Sequence, residues 1–183
     1  MKKCIITISF LIAVFNSPAQ QIYTCKQGDV SFFSEAPLEN IEAHSKGINS
    51  FLNIATKEIA FIVPIRGFKF AKALMQEHFN EKYMESDKYP NTTYQGKIIG
   101  EADLTKNGSY EVTSKGKITI HGVEREIVQP GTITVKNNEI TLSCNFNVAI
   151  KNHNITVPKL LFQNIADTIS VKMNVDYIPL QKK

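Results

Sequence analysis

The sequence predicts an all-β fold: an antiparallel β-barrel of about eight strands with one capping α-helix. Three observations support this prediction. Apolar and polar residues alternate strictly in the second half of the chain, short turn signals separate these runs, and one mid-chain stretch alone has helical periodicity. Strands of about 11 residues are long for a small sandwich, and a lone mid-chain helix is well placed to close a barrel mouth.

The N-terminal segment indicates a secretory signal peptide over residues 1–19. A short basic start precedes an apolar run over residues 5–15, and Ser17 and Ala19 are small residues at positions −3 and −1 of a cleavage site. The run is too short to span a bilayer, so we expect no stable membrane span. A retained N-terminal anchor is the alternative. We expect one mature domain, residues 20–183, that is periplasmic or secreted.

Composition excludes some classes of partner. The chain has 183 residues and a formal net charge of +4, which falls to +2 once Lys2 and Lys3 are removed with the signal peptide. This small surplus is spread along the chain without a basic run, so the sequence does not predict nucleic-acid binding. The mature length suffices for one domain with its own hydrophobic core.

The first half of the mature chain contains strands with irregular alternation. Residues 23–25, 30–33, 44–54 and 57–65 carry β-branched and aromatic residues between Gly, Asp and Pro breaks. Pro64 lies within the last of these runs, where it favours a sheet edge, a bulge or a strand end because it has no N–H to donate.

The helical stretch lies within residues 68–96. Its spacing approximates the i, i+3, i+4, i+7 pattern of an amphipathic helix. The residues that define the pattern are Phe70, Ala71, Leu74, Met75, His78/Phe79 and Lys82/Tyr83. Since one helix in an all-β chain usually caps or plugs the sheet, we expect this helix to be a lid.

The second half of the chain predicts long strands joined by tight turns. Residues 110–120, 140–150 and 169–177 alternate with period two, and residues 131–135 form a shorter run between them. Asn137-Asn138 and the Asn-Gly pair at positions 107 and 108 predict hairpin turns, because Asn and Gly tolerate positive φ.

Two cysteines remain after cleavage, Cys25 and Cys144. In an oxidising compartment they can form a disulfide, which would close a long loop. The alternative is two separate thiols that pack as small hydrophobic side chains.

No catalytic signature occurs: HExxH, CxxC and GxSxG are all absent. We therefore expect no enzymatic activity, no cofactor and no metal. His78, His121 and a carboxylate are conceivable as a metal site but lack a ligand spacing. His121 precedes Gly122 at a strand end, which indicates a turn-stabilising hydrogen bond at the barrel rim.

Several segments together resemble the YceI-like family, and the resemblance extends from about Tyr23 to Pro179. The amino-acid sequence of the helical segment is similar to the family variant found in Bacteroidetes-type bacteria. The segments that carry the resemblance, in family order, are residues 32–43, 61–70, 74–90, 96–98, 120–123 and 175–179. The resemblance implies a lipocalin-like barrel, exported and non-catalytic. It also implies that an apolar tunnel binds a polyisoprenoid, an isoprenoid quinone, a fatty-acid derivative or another long amphiphile. It leaves both a monomer and a homodimer open.

Alternation within the strands identifies the residues expected to face such a ligand. The candidates for the cavity are Phe61, Val63, Ile65, Tyr110, Val112, Ile118, Ile120, Leu142, Phe146 and Val148. The candidates for the lid are Phe68, Phe70, Leu74, Met75, Phe79, Tyr83 and Met84. The alternative is a barrel filled by its own side chains, which would make the protein an exported protein-interaction or inhibitory module.

Overall fold

The computed structural model describes residues 22–35, 39–157 and 165–180. The predicted signal peptide lies outside the described residues. The strands are β1 (Ile22–Ser34), β2 (Ile41–Ser45), β3 (Asn49–Asn53), β4 (Glu58–Pro64), β5 (Lys69–Phe70), β6 (Asn91–Ile99), β7 (Gly108–Ile120), β8 (Val123–Lys136), β9 (Glu139–Ala149) and β10 (Thr168–Pro179). Helix α1 (Ala73–His78) continues into a π-helical turn (Phe79–Tyr83), and short 3-10 turns span Ile65–Gly67 and Ile150–His153.

The strands form one closed antiparallel barrel. Strand β1 pairs with β3 along its first part and with β2 along its last part, so β2 and β3 together occupy one position in the wall. Strands β4 and β5 share the next position in the same way, because β4 pairs with β3 and β5 with β2. The wall continues through β6, β7, β8, β9 and β10, and β10 returns to β1. The predicted eight-strand barrel is confirmed.

The predicted helix is present but shorter than its pattern. Residues 68–70 belong to the end of the β4–β5 position, and the helical turns cover only residues 73–83. Pro64 is the last residue of β4, which agrees with the strand end that it predicts. Residues 91–99, which the period-two analysis did not identify, form β6.

Two tight hairpins close the ends of β7, β8 and β9. Asn137 and Asn138 have φ of 50° and 63°, which confirms the predicted turn between β8 and β9. His121 and Gly122 form the equivalent turn between β7 and β8, with φ of 51° and 73°. The Asn107-Gly108 hairpin prediction is wrong: β6 and β7 are joined by a loop over residues 100–107, and Gly108 begins β7.

The two halves of the barrel differ in packing. At the end that carries the β8–β9 turn, apolar side chains fill the interior completely. The least exposed of them, at 0%, are Leu52, Ile133, Ile140, Val175 and Tyr177. The Tyr177 hydroxyl donates to Ser50 Oγ at 2.6 Å, and Ser50 Oγ donates to the Ala60 carbonyl at 2.8 Å. Burial raises the pKa of Tyr177, and the filled end of the barrel is closed to ligands.

Candidate functional site

The other half of the barrel contains an apolar cavity of about 320 Å³. Side chains from the inward faces of the strands, from the helix and from the segment after β9 form its wall. Among the described residues, no Asp, Glu, Lys or Arg lines it. Its volume falls within the range typical of small-molecule sites. An apolar wall without charges suits a hydrocarbon and disfavours a fully charged ligand.

Most of the predicted site residues lie on this wall. From the predicted cavity set, the structure brings together Phe61, Val63, Ile65, Val112, Ile118, Ile120, Leu142, Phe146 and Val148. From the predicted lid set, it adds Phe68, Phe70, Met75, Phe79, Tyr83 and Met84. Their contact with a ligand stays a prediction.

Two predicted residues lie elsewhere. Tyr110 shares the inward face of β7, but it lies near the filled end, where its ring covers Gly108 and its hydroxyl donates to the Lys106 carbonyl at 3.0 Å. Leu74 is 60% exposed on the solvent face of α1. The shortened helix presents Met75, His78 and Phe79 to the cavity instead, with i, i+3, i+4 spacing.

Other residues of the cavity wall, chiefly on β1, β6, β8 and β10, were not among the predicted ones. Val171 and Met173 lie in a run whose alternation was visible, so the same parity argument identifies them. Val30 and Phe32 alternate in β1 in the same way. Tyr94 carried no such signal, because its strand is mostly polar.

Tyr94 forms the floor of the cavity. Its ring lies against Gly96, its hydroxyl is close to Gly116, and its centroid is 6.0 Å from that of Phe61. A Cβ on Gly96 would overlap the Tyr94 hydroxyl, so this glycine lets the ring lie flat on the sheet. The hydroxyl is hydrogen-bonded to Ser114 Oγ, and burial raises the pKa of Tyr94. The Tyr94 ring therefore covers the inner face of the sheet at this part of the cavity wall.

Four aromatic rings pack together where residues 73–83, here called the lid segment, meet the cavity wall. Phe79, from the π-helical turn, lies 5.4 Å from Phe32, 5.6 Å from Phe68 and 5.0 Å from Phe70, measured between ring centroids. Phe32 also contacts Phe68 at 5.2 Å and Phe70 at 5.8 Å. Phe79 thus joins the lid segment to three rings of the barrel.

The chain after the lid segment is anchored to the β7–β8 turn. His121 is 9% exposed; its Nε2 lies 2.8 Å from Glu85 Oε2 and its Nδ1 lies 3.1 Å from the His153 carbonyl. Both ring nitrogens of His121 therefore lie within hydrogen-bond distance of an oxygen atom from another segment of the chain. Tyr89 packs edge-on against His121 at 4.5 Å, where Gly122 leaves room for it. The His121 side chain thus connects the β7–β8 turn to Glu85, just after the lid segment, and to His153.

Cys25 and Cys144 are both free thiols in the structure. Cys25 pairs with Tyr177 and Cys144 with Met173, four residues apart along β10 and on opposite sides of it. Two strand spacings and four residues of rise separate them by roughly 16 Å, far beyond disulfide reach. Burial raises the pKa of both thiols, that of Cys144 to about 11.

The described residues contain no group of three or more His, Cys, Asp and Glu side chains that could hold a metal ion. His121 is instead engaged by Glu85 and by the His153 carbonyl. Within the same part of the chain, no helix is both long enough and apolar enough to cross a bilayer.

Comparison with known proteins identifies the family. The model of the YceI-like domain matches residues 26–177, which is most of the chain. The chain belongs to the YceI-like family. Comparison with curated proteins gives no significant match.

Solved YceI-like structures share the fold. A polyisoprenoid-binding domain from Saccharophagus degradans, implicated in plant cell wall breakdown, is 11% identical, with a TM-score of 0.74 over 86% of this chain and 98% of that one. BcnA of Burkholderia cenocepacia is 16% identical, with a TM-score of 0.69 over 81% and 95%. A YceI protein of Campylobacter jejuni is 14% identical, with a TM-score of 0.58 over all of both chains. At these identities the likeness establishes the fold of this YceI-like protein.

Proposed function

We propose that this protein is an exported, non-catalytic carrier or storage protein for a long-chain amphiphile. The observation that carries the proposal is the cavity of about 320 Å³ without a charged side chain among the described wall residues. The name of the Saccharophagus degradans domain, which describes it as polyisoprenoid-binding, supports the same ligand class. A polyisoprenoid, an isoprenoid quinone and a fatty-acid derivative all present such an apolar chain.

Burial of the apolar chain supplies the driving force. Each methylene removed from water contributes about 0.8 kcal/mol, so a few isoprene or ethylene units suffice for tight binding before ordering costs are subtracted. The polar head group stays near solvent, since the wall offers no charge to compensate its desolvation. The ligand is therefore selected by its hydrocarbon part.

Native mass spectrometry of residues 20–183, purified from a bacterial periplasm without detergent, tests this proposal. We expect an excess mass of a few hundred daltons that moves into organic solvent on extraction, which would also identify the ligand class. A bare mass, with no uptake of added polyprenyl, quinone or fatty-acid lipids, would contradict it and favour the protein-interaction module. The same spectra distinguish a monomer from a homodimer.

Export is proposed from the N-terminal pattern, with cleavage after Ala19. N-terminal sequencing of the protein recovered from the periplasm or medium should begin at Gln20. Recovery of a chain that begins at Met1 in the membrane fraction would favour the retained anchor.

A further inference from the structure

The barrel wall is split between β8 and β9. These strands pair only between Thr132–Lys136 and Glu139–Ser143. Beyond that ladder, β8 remains paired with β7 as far as Val123, and β9 remains paired with β10 as far as Ala149. Two strand edges therefore face each other without a ladder between them in the described part of the chain.

The local sequence explains the split. Gly131 still approaches β9 closely: a Cβ there would lie 3.0 Å from the Ser143 carbonyl. Pro130 is the neighbouring residue on the side of the barrel mouth, and it has no N–H to donate to β9. The pairing therefore stops where β8 reaches its proline.

The split is bounded at both ends, so it forms a window rather than an open seam. Toward the mouth, Arg125 Nε donates to the Asn152 carbonyl at 3.1 Å, and His153 Nδ1 donates to the Val123 carbonyl at 3.3 Å. Between Arg125 and Gly131 the β8 edge is about 20 Å long, at about 3.4 Å per residue. We call this opening, residues 125–131 of β8 facing residues 144–149 of β9, the β8–β9 window.

One side chain crosses the window. Gln129 Nε2 donates to the Asn145 carbonyl of β9 at 2.9 Å and lies 3.0 Å from its neighbouring Pro130 carbonyl. Gln129 therefore takes the place of the missing backbone ladder with a single side-chain hydrogen bond between the strands.

The window leads into the cavity. Ile127 on one edge and Phe146 and Val148 on the other line the cavity, yet all three are only half-buried. Beside them, Val128 on the outer face is 61% exposed. Apolar side chains thus border the window on its inner face, and Val128 adds an exposed apolar side chain on its outer face.

We propose that the β8–β9 window is a lateral portal through which the apolar chain of the ligand enters and leaves, with Gln129 as its closing bar. This inference rests on the proposed function. Four packed aromatic rings join the lid segment to the barrel, whereas a single side-chain hydrogen bond among the described residues spans the window. A hydrocarbon chain suits the window because apolar side chains border it on both strands and continue into the cavity.

A matched pair of labelled variants tests the portal. In a Cys25→Ser, Cys144→Ala background, Val128→Cys and Leu74→Cys each accept a bulky maleimide-linked polyethylene glycol. The two positions are equally exposed, at 61% and 60%, but one lies at the window and the other on the lid segment. Stopped-flow fluorescence with cis-parinaric acid measures uptake and release, and equilibrium titration measures affinity.

We expect the label at position 128 to slow uptake and release together by about tenfold without changing affinity, because it obstructs a path and not the site. The label at position 74 should leave both rates within about twofold. Unchanged rates with the label at 128, or equal slowing by both labels, would overturn the portal. Absence of saturable uptake by the unlabelled protein would refute the proposed function, and the portal with it.

The closing bar has its own test, which needs no label. Gln129→Ala should speed ligand release about fivefold, because it removes one hydrogen bond. Glu126 is exposed on the same strand, so Glu126→Ala is the control and should leave the release rate unchanged. Equal release rates in the two variants would remove Gln129 from the portal.

Discussion

Phe79 is the residue on which docking of the lid segment depends most strongly. Its ring contacts three others at centroid distances of 5.0 to 5.6 Å, and each aromatic pair contributes about 0.5–1.5 kcal/mol beyond area burial. Three such pairs give about 1.5–4.5 kcal/mol. Because Phe79 is only half-buried, we use a value from the lower part of this range. Phe79→Ala should therefore cost about 2 kcal/mol of lid docking, which corresponds to about 30-fold in the opening equilibrium.

Native-state hydrogen exchange measures this opening directly. The Met84 amide donates to the Phe79 carbonyl at 2.9 Å and the Ser86 amide to the Asn80 carbonyl at 2.8 Å, so both report on the lid segment. In Phe79→Ala these amides should exchange about 30-fold faster, while amides of β7 and β10 should change much less. The fluorescent fatty acid, measured in parallel, shows whether lid opening also accelerates ligand release.

Leu74→Ala is the matched control, since both residues belong to the predicted lid stripe but Leu74 is 60% exposed. A surface truncation of this kind changes stability by no more than about 0.5 kcal/mol, or about twofold in exchange. Equal exchange in the two variants would refute the role of the ring cluster. Uniform acceleration throughout the barrel in Phe79→Ala would show instead that the cluster belongs to the global core.

Three further predictions concern the barrel itself. Gly116→Ala should destabilise by about 1–3 kcal/mol in urea denaturation, because its Cβ would overlap the Gln95 carbonyl. Gly47→Ala should be neutral, because its Cβ would only reach ordinary contact distance from Ser45 Oγ, at 3.9 Å, and equal effects of the two variants would refute this packing argument. Tyr177→Phe should cost about 1–2 kcal/mol, since it removes the buried hydrogen bond to Ser50, and an unchanged denaturation midpoint would contradict it. Burial chiefly lowers the pKa of His153 below its ordinary 6.5, so the folded state binds fewer protons than the unfolded state between these two values. The contribution of His153 to the free energy of unfolding should therefore be fully present above pH 6.5 and decrease as the pH falls toward the folded pKa. In His153→Gln, the free energy of unfolding measured by denaturation at several pH values should lack this decrease. The same pH dependence in the variant and the wild type would exclude His153 as its source.

Alternation was sufficient to assign inward faces but not depth along the barrel axis. Tyr110 and Val112 have the same parity on β7, yet Val112 lines the cavity and Tyr110 covers Gly108 near the filled end. Parity is a property of neighbouring residues in one strand. Depth depends on which residues of other strands lie at the same height, and this is set by the register of the whole sheet.

The helix shows the same limit at its ends. The apolar spacing that predicted the helix included residues that do not lie on its buried face. Phe70 pairs with Ala43 as part of β5, and Leu74 faces solvent. Periodicity identifies a helical segment, but pairing with a strand distant in sequence decides where that segment begins. Likewise, the Asn107-Gly108 pair has the composition of a tight turn, but the β6–β7 connection is longer and Gly108 lies in a strand.

The sequence by itself determined the all-β class, the inward faces of the long strands, the turn at Asn137-Asn138 and the resemblance to the YceI-like family. Each of these depends on neighbouring residues or on motifs read in order. The tertiary structure decided that one half of the barrel is filled while the other holds the cavity, that Cys25 and Cys144 lie too far apart to bond, and that β8 pairs with β9 only from Thr132 onward. These features arise where strands distant in sequence meet, and local alternation carries no information about such contacts.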